Sequence, residues 1–272
     1  MLRWRLLGID FCIQPSFWLM SALFGYLVVA PMRLEGVEML KYIAIWIGCT
    51  LLSVMVHELG HAVTGRIFGL PGNITLAGMG GQAVGNFETL KRWQRVLVIL
   101  AGPGAGFFLL FLLILVNQRV WNLNVALALD LPSLRVPWTW DLLDQIDTNL
   151  KSTPPWSEMM KFLCWMNLFW NIINLIPIIP LDGGMLMREG CTLVAPRHGD
   201  RFAFGLSFVL ALAVTGYCLA ALTMRNMQLY TIIDPFFGLL MFGMMAVSNF
   251  FSMIQARAAP ATPQRSPYHQ DD

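Results

Sequence analysis

Long apolar stretches alternate with short polar or charged stretches along most of the chain. A helix needs about 20 predominantly apolar residues to cross the hydrocarbon core of a bilayer, and stretches of roughly that length occur about six times. The pattern therefore predicts an all-α polytopic membrane protein. The predicted spans are residues 16–32, 39–68, 93–117, 157–180, 201–224 and 229–254.

The fourth predicted span ends in a proline-rich stretch from Pro177 to Pro180. Proline lacks a backbone N–H and interrupts a helix, so a helix end is expected here. Residues 181–184, which include Asp182, are then predicted to be non-helical. Backbone of that kind at membrane depth must face protein or water.

The connection between the second and third predicted spans is rich in glycine and contains short β-prone pieces such as residues 73–76. Such a sequence over residues 70–90 is typical of a small β-hairpin or a re-entrant loop. A flexible loop is an equally weighted alternative. We therefore expect either a hairpin beside a neighbouring site or a mobile connection.

Two further segments contrast with the apolar spans. Residues 118–156 are polar, and the final segment 257–272 lacks apolar periodicity, so we predict that it is a disordered cytoplasmic tail after a membrane domain of residues 1–256. Tryptophans in the first segment are interpreted as anchors at the membrane–water interface. They are Trp121, Trp138, Trp140 and Trp156.

Composition supports the membrane assignment. Of 272 residues, 57% are hydrophobic and 12% are charged, and the mean hydropathy is +0.61. The formal net charge of +2 is too small for a nucleic-acid-binding surface, and the basic residues are not clustered. The five cysteines are widely spaced without a C-x-x-C pair, so neither a disulfide framework nor a cysteine metal site is indicated.

The distribution of Lys and Arg predicts the orientation. With the N-terminus inside, eleven of the 18 basic residues fall on the cytoplasmic side and seven on the other. The excess favours both termini in the cytoplasm. In this topology His57 and Asp182 both lie toward the cytoplasmic side of the membrane.

The segment His57-Glu58-Leu-Gly-His61 carries the candidate chemistry. At about 100° per residue, histidines four positions apart project within about 40° of each other on a helix, so one metal ion can bind both. Glu58 lies near enough to act on a water at the metal without being a ligand. A purely structural histidine pair is the alternative, but ionisable groups within a span are costly unless partnered, which favours function.

A zinc site of this kind needs a third protein ligand. Asp182 is the best-placed acidic residue, because it follows the proline break and precedes two glycines whose missing Cβ atoms permit unusual backbone turns. The same residue is equally suited to cap a helix that starts near Gly183. Spacing alone leaves both roles for Asp182 open.

The chain resembles the site-2 protease family of intramembrane metalloproteases. The resemblance rests on the His-Glu-Leu-Gly-His motif, on Asn-Leu-Ile-Pro-Ile-Ile-Pro-Leu-Asp-Gly-Gly at 174–184 and on Ala-Gly-Pro-Gly-Ala-Gly at 101–106. It covers about residues 1–195, and the last two spans match in layout only. The short connection and tail leave no room for PDZ or CBS domains, so a compact branch similar to sporulation-type members is expected.

The resemblance implies one Zn²⁺ held by His57, His61 and Asp182, with Glu58 as the catalytic base. It also implies that Asn174 lines the site and helps to hold the substrate strand, although an interhelical hydrogen bond would equally explain a buried asparagine. We further predict that Gly80 and Gly81 contact substrate, because the glycine-rich loop is suited to receive an extended strand.

The implied reaction is hydrolysis of peptide bonds within or next to the transmembrane segment of a membrane protein. The expected substrate is a single-span protein in the bilayer of a bacterial inner membrane, with a regulatory membrane partner controlling access. The alternative is a metal-ion transporter or metal-handling protein, in which the histidines and Asp182 bind a passing ion. Glu58 discriminates between them, because ion binding alone does not require a base.

Overall fold

The computed structural model describes residues 1–6, 8–32, 34–78, 80–84, 89–121, 156–223 and 235–258. The chain forms two compact units, Met1–Leu175 and Ile176–Asp272. In the first unit the elements are β1 (Leu2–Leu6), β2 (Ile9–Ile13), α1 (Pro15–Val29), a 3-10 turn (Ala30–Met32), α2 (Gly36–Ile67), β3 (Asn73–Ala77), β4 (Gly80–Val84), α3 (Arg92–Trp121) and α4 (Trp156–Asn174). The second unit contains α5 (Asp182–Val194), α6 (Gly199–Thr223) and α7 (Pro235–Ala258).

The predicted helical class is confirmed, and a helix lies in each of the six predicted spans. Within the described residues, four helices are long and apolar enough to cross a membrane: Gly36–Ile67, Arg92–Val116, Gly199–Thr223 and Pro235–Ala256. Helix α1 is apolar but has only 15 residues. The total of six spans therefore stays a prediction.

The polar segments are partly helical at their edges. Helix α3 continues to Trp121 and α4 begins at Trp156, so these two predicted anchors belong to helix ends. Trp138 and Trp140 lie outside the described residues. Of the predicted tail 257–272, residues 257 and 258 are the last two residues of α7, and the rest lie outside the described residues.

The glycine-rich connection forms a hairpin within a four-stranded sheet of order β1-β2-β3-β4. Strands β3 and β4 pair antiparallel, and β3 pairs parallel with β2, so α1 and α2 form the crossover connection. The glycine-rich pattern predicted the β3–β4 hairpin as one alternative, whereas strands β1 and β2 were not predicted. Alternation of apolar and charged residues over Leu2–Leu6, followed by a glycine at position 8, was the available signal, and Gly8 has φ 76° in the turn between the two strands.

One face of this sheet packs against the membrane helix that carries the histidine motif. Ile74 and Leu76 on β3 are 0% and 1% exposed and share an apolar core with Phe11 on β2 and with Val54 and Ala62 on α2. Because Val54 and Ala62 flank the His-Glu-Leu-Gly-His segment, burial of the β-strand side chains holds the sheet beside the candidate site.

The second unit corrects the prediction for residues 181–184. The backbone is non-helical only up to Leu181, because α5 begins at Asp182. Gly184 does not serve a left-handed turn; a Cβ at this position would lie 2.3 Å from the carbonyl carbon of Ile178. The glycine is therefore required by a close approach between the first turn of α5 and the segment that precedes it.

Candidate metal centre

The three motif residues lie on α2 and are almost fully buried. His57, Glu58 and His61 are 3%, 4% and 8% exposed. The two imidazole rings have centroids 4.8 Å apart, as their spacing of four residues along the helix predicts. Polar groups so deeply buried need specific partners, because burial without them is unfavourable.

The tautomer of His57 is set by Asn171 on α4. His57 Nδ1 lies 2.9 Å from the Asn171 side-chain oxygen Oδ1. The amide orientation of Asn171 is itself fixed, because its Nδ2 donates to the backbone carbonyl of Asn167. The Oδ1 atom must therefore accept, so Nδ1 of His57 carries the proton and its Nε2 presents a lone pair.

The tautomer of His61 is set by the backbone of α3. His61 Nδ1 lies 2.7 Å from the carbonyl oxygen of Val98. A carbonyl oxygen only accepts hydrogen bonds, so Nδ1 of His61 also carries its proton. Both histidines therefore direct an Nε2 lone pair toward the same space.

The two Nε2 atoms are 3.1 Å apart. Two lone pairs at this distance repel each other unless a cation lies between them. A tetrahedral zinc ion with Zn–N bonds of 2.0–2.1 Å would separate two imidazole nitrogens by about 3.3 Å. The distance and the protonated Nδ1 atoms both fit zinc ligation, since ligating histidines usually donate the other ring N–H to a carbonyl or similar acceptor.

Glycines on α3 make room for these side chains. A Cβ at Gly102 would lie 2.1 Å from Nε2 of His61, and a Cβ at Gly106 would lie 2.2 Å from Nδ2 of Asn171. By contrast, a Cβ at Gly104 would meet nothing within 4 Å. Gly102 and Gly106 therefore leave the space that the His61 ring and the Asn171 amide occupy.

Strand β4 adjoins Glu58. A Cβ at Gly81 would lie 2.2 Å from Cγ of Glu58 and 2.5 Å from its Oε1. Gly80 has φ 132°, which favours glycine, and it lies against Trp170 on α4. The hairpin therefore contacts the candidate base through Gly81, which has no side chain, and contacts α4 through Gly80.

The remaining predicted residues occupy the ends of two helices. Asn174 is the last residue of α4 and is 8% exposed. Its side chain forms no hydrogen bond with any other described residue, so the interhelical alternative has no support there. Asp182 is the first residue of α5 in the second unit. Leu181, with φ −65° and ψ 157°, occupies the N-cap position, so Asp182 is not the capping residue.

Three features of the site were not predicted from the sequence: Asn171, the Val98 carbonyl and the space left by the α3 glycines. Asn171 had a detectable signal, because Asn167, Asn171 and Asn174 recur at helical spacing within an apolar stretch, and polar residues inside spans are functional candidates. The Val98 carbonyl had none, since any residue offers a backbone acceptor.

Comparison with known proteins agrees with these observations. The model of Peptidase family M50 matches residues 45–216, more than half of the chain. The Synechocystis sp. protein sll0528, a zinc metalloprotease by name, is 28% identical over 191 residues. The matched region covers 68% of this chain and 42% of that protein. Zinc metalloprotease MJ0392 of Methanocaldococcus jannaschii is 25% identical over 138 residues, covering 50% of this chain and 31% of its own.

The fold is also similar to that of a solved structure, the site-2 protease from Methanocaldococcus jannaschii. The TM-score is 0.54 at 19% identity, with 94% of each chain covered. The present chain spans less than half the length of the curated relatives it matches. The family and the four long apolar helices identify an integral membrane protein, and a family of zinc metalloproteases implies zinc as the cofactor. As the resemblance to site-2 proteases predicted, the chain belongs to Peptidase family M50.

Proposed function

We propose that the protein is an intramembrane zinc metalloprotease that cleaves membrane proteins within or next to their transmembrane segments. The observation that carries this proposal is the arrangement of the two histidines on α2. Both have protonated Nδ1 atoms, and their Nε2 atoms present lone pairs 3.1 Å apart. Glu58, which lies between the histidines in sequence, is also buried. This donor set suits zinc, and the carboxylate beside it suits hydrolysis.

Asp182 is the third ligand in this proposal. A tetrahedral catalytic zinc takes three protein ligands and leaves one position open, and two histidines with one carboxylate are a common set. Support for Asp182 comes from its motif, which resembles that of the site-2 proteases, and from its place at the start of α5 after a rigid turn. An aspartate there also interacts favourably with the helix dipole in its ionised form, which is the form that binds metal.

In the reaction, a bound zinc ion would lower the pKa of a water in its open position and polarise the substrate carbonyl. Glu58 accepts the proton of the attacking water and returns it to the nitrogen of the leaving amine. Its burial limits competition from bulk water, and His57 and His61 keep their orientation through Asn171 and Val98. Asn174 contributes a hydrogen bond to the substrate backbone.

The substrate peptide binds as an added strand on β4. Strand β4 is the edge of the sheet and pairs only with β3 among the described strands. A helical substrate must unwind before attack, because its carbonyls are hydrogen-bonded within the helix, and pairing with an edge strand offers replacement hydrogen bonds. Gly80 and Gly81 contact the added strand in this proposal, and the close packing of Gly81 on Glu58 brings that strand near the base.

In this proposal the substrate is a single-span membrane protein. The protease lies in the inner membrane of a bacterial cell, and both of its termini face the cytoplasm. The bias of basic residues supports this orientation. A site toward the cytoplasmic side gives water a short route to the metal. A separate membrane protein regulates the access of substrate to the site.

The experiment that tests the function is Glu58→Gln in the full chain, purified in detergent and supplied with membrane-protein substrates. We expect zinc content near that of the wild type and loss of cleavage by several orders of magnitude, because the amide cannot accept a proton. Retained cleavage would disprove the mechanism. Metal transport into vesicles that survives Glu58→Gln would favour the transporter instead.

A further inference from the structure

Both backbone polar groups of Ile179 are held by buried side chains from different helices of the second unit. The N–H of Ile179 donates to the hydroxyl oxygen of Ser207 on α6 at 3.1 Å. The carbonyl oxygen of Ile179 accepts from Nδ2 of Asn249 on α7 at 2.7 Å. A single residue in the turn before α5 is thus fixed from two sides.

These two side chains are deeply buried in otherwise apolar helices. Ser207 is 0% exposed and Asn249 is 2% exposed. Burial of a hydroxyl and an amide is unfavourable without hydrogen bonds, and a turn buried among helices equally needs partners for its own N–H and C=O groups. The two side chains and the Ile179 backbone satisfy one another.

Only two residues separate Asp182 from this fixed residue. The N–H of Leu181 donates to the carbonyl of Ile178 at 2.8 Å, which closes the turn. On the other side of the turn, Gly184 packs so closely on Ile178 and Ile179 that a Cβ would overlap their backbone. The backbone from Ile178 to Gly184 therefore has little freedom, and the position of Asp182 depends on the groups that hold Ile179.

We propose that Ser207 and Asn249 are positioning residues that hold the Asp182 carboxylate in place for the metal. The inference rests on the proposed function, in which Asp182 is the third zinc ligand. It gives α6 and α7 a role beyond crossing the membrane, although neither helix carries a residue of the catalytic motifs. Preorganisation of a ligand raises metal affinity because less conformational entropy is lost on binding.

The test measures zinc affinity of the full chain in detergent, by competition with a chelator. Ser207→Ala and Asn249→Leu should each weaken zinc binding by up to about 10-fold, the lower end of the effect of removing a group bonded directly to a ligand, because both act on Asp182 through the backbone of Ile179. Ser207→Thr retains the acceptor oxygen and should restore most of the affinity. Thr215→Val is the matched control, since the Thr215 hydroxyl on the same helix donates only to Ala211 of α6, at 2.7 Å.

A second measurement separates this role from a general loss of stability. If Ser207 acts through Asp182, Ser207→Ala should cause little further loss of zinc affinity in a variant that already carries Asp182→Ala. If the two residues act independently, the two losses of binding free energy should add. Additive losses, or an unchanged affinity in both single variants, would overturn the inference. If Asp182→Ala alone leaves zinc affinity unchanged, the proposed ligand set fails instead, so the two failures are distinguishable.

Discussion

The side-chain oxygen Oδ1 of Asn171 lies 2.9 Å from Nδ1 of His57, across an interval of 114 residues in sequence. This contact joins α4 to α2 and determines which ring nitrogen of the histidine is available to a metal. Neither residue alone specifies the tautomer. The hydrogen bond between them therefore has a consequence for metal affinity as well as for packing.

Replacement of Asn171 by Leu should lower zinc affinity by about 10- to 100-fold, because His57 loses the acceptor that fixes its Nδ1–H. Asn171→Asp keeps an acceptor oxygen and should retain more affinity. Asn167→Leu is the matched control on the same helix, since the Asn167 side chain contacts Ser53 and the Leu163 carbonyl rather than a histidine. Chelator competition measures the affinities, and equal losses in the Asn167 and Asn171 variants would contradict the assigned role.

The α3 glycines give a second prediction. Gly102→Ala should displace the His61 ring and Gly106→Ala the Asn171 amide, because the added methyl would occupy their space. Both variants should lose most of their bound zinc, measured by metal analysis after purification. Gly104→Ala has open space and should bind zinc as the wild type does. Normal zinc content in Gly102→Ala would show that α2 and α3 move apart at little cost.

The edge strand β4 gives a third prediction. Leu76 on β3 directs its carbonyl to Gln14 N–H, away from β4, so its partner Gly81 and the next alternate residue Ala83 direct their backbone groups to the free edge. Ala83→Pro removes one of these N–H groups and spares the pairing with β3. We expect cleavage to fall at least tenfold with zinc content unchanged. Ala83→Gly keeps the N–H and serves as the control; equal cleavage by both variants would refute strand addition.

Asp182→Asn gives a fourth prediction. The amide has nearly the same shape as the carboxylate but is neutral, so it should weaken zinc binding by more than tenfold and leave the helical circular dichroism unchanged. Glu189→Gln removes a carboxylate from the same helix and should not affect zinc. Unchanged zinc affinity in Asp182→Asn would require another third ligand.

Several features followed from local sequence alone. Apolar runs predicted helices α2, α3 and α6 to within about four residues and α7 to within about six, because a membrane-spanning helix must be long and apolar whatever its neighbours are. The spacing of His57 and His61 placed both on one face of α2, since helical geometry fixes that relationship. A glycine-rich hairpin was one of two equal alternatives until the structure showed its strands.

Other features depended on contacts between distant segments. The β1–β2 hairpin is stabilised by the parallel pairing of β2 with β3, which a local pattern does not reveal. The prolines were expected to keep the backbone non-helical through residue 184, whereas the helix begins at Asp182, one residue before the start near Gly183 that the capping alternative assumed.

Local sequence was enough to predict a helical membrane protein that resembles the M50 proteases, with two histidines and a glutamate close together on one apolar helix. The tautomer and orientation of those histidines depend instead on contacts made in the folded chain. Asn171 and the Val98 carbonyl select the ring nitrogens, and Gly102 and Gly106 make the space. Hydrogen bonds and close contacts between helices depend on how the helices pack, whereas the turn and residue spacing of one helix follow from its own backbone geometry.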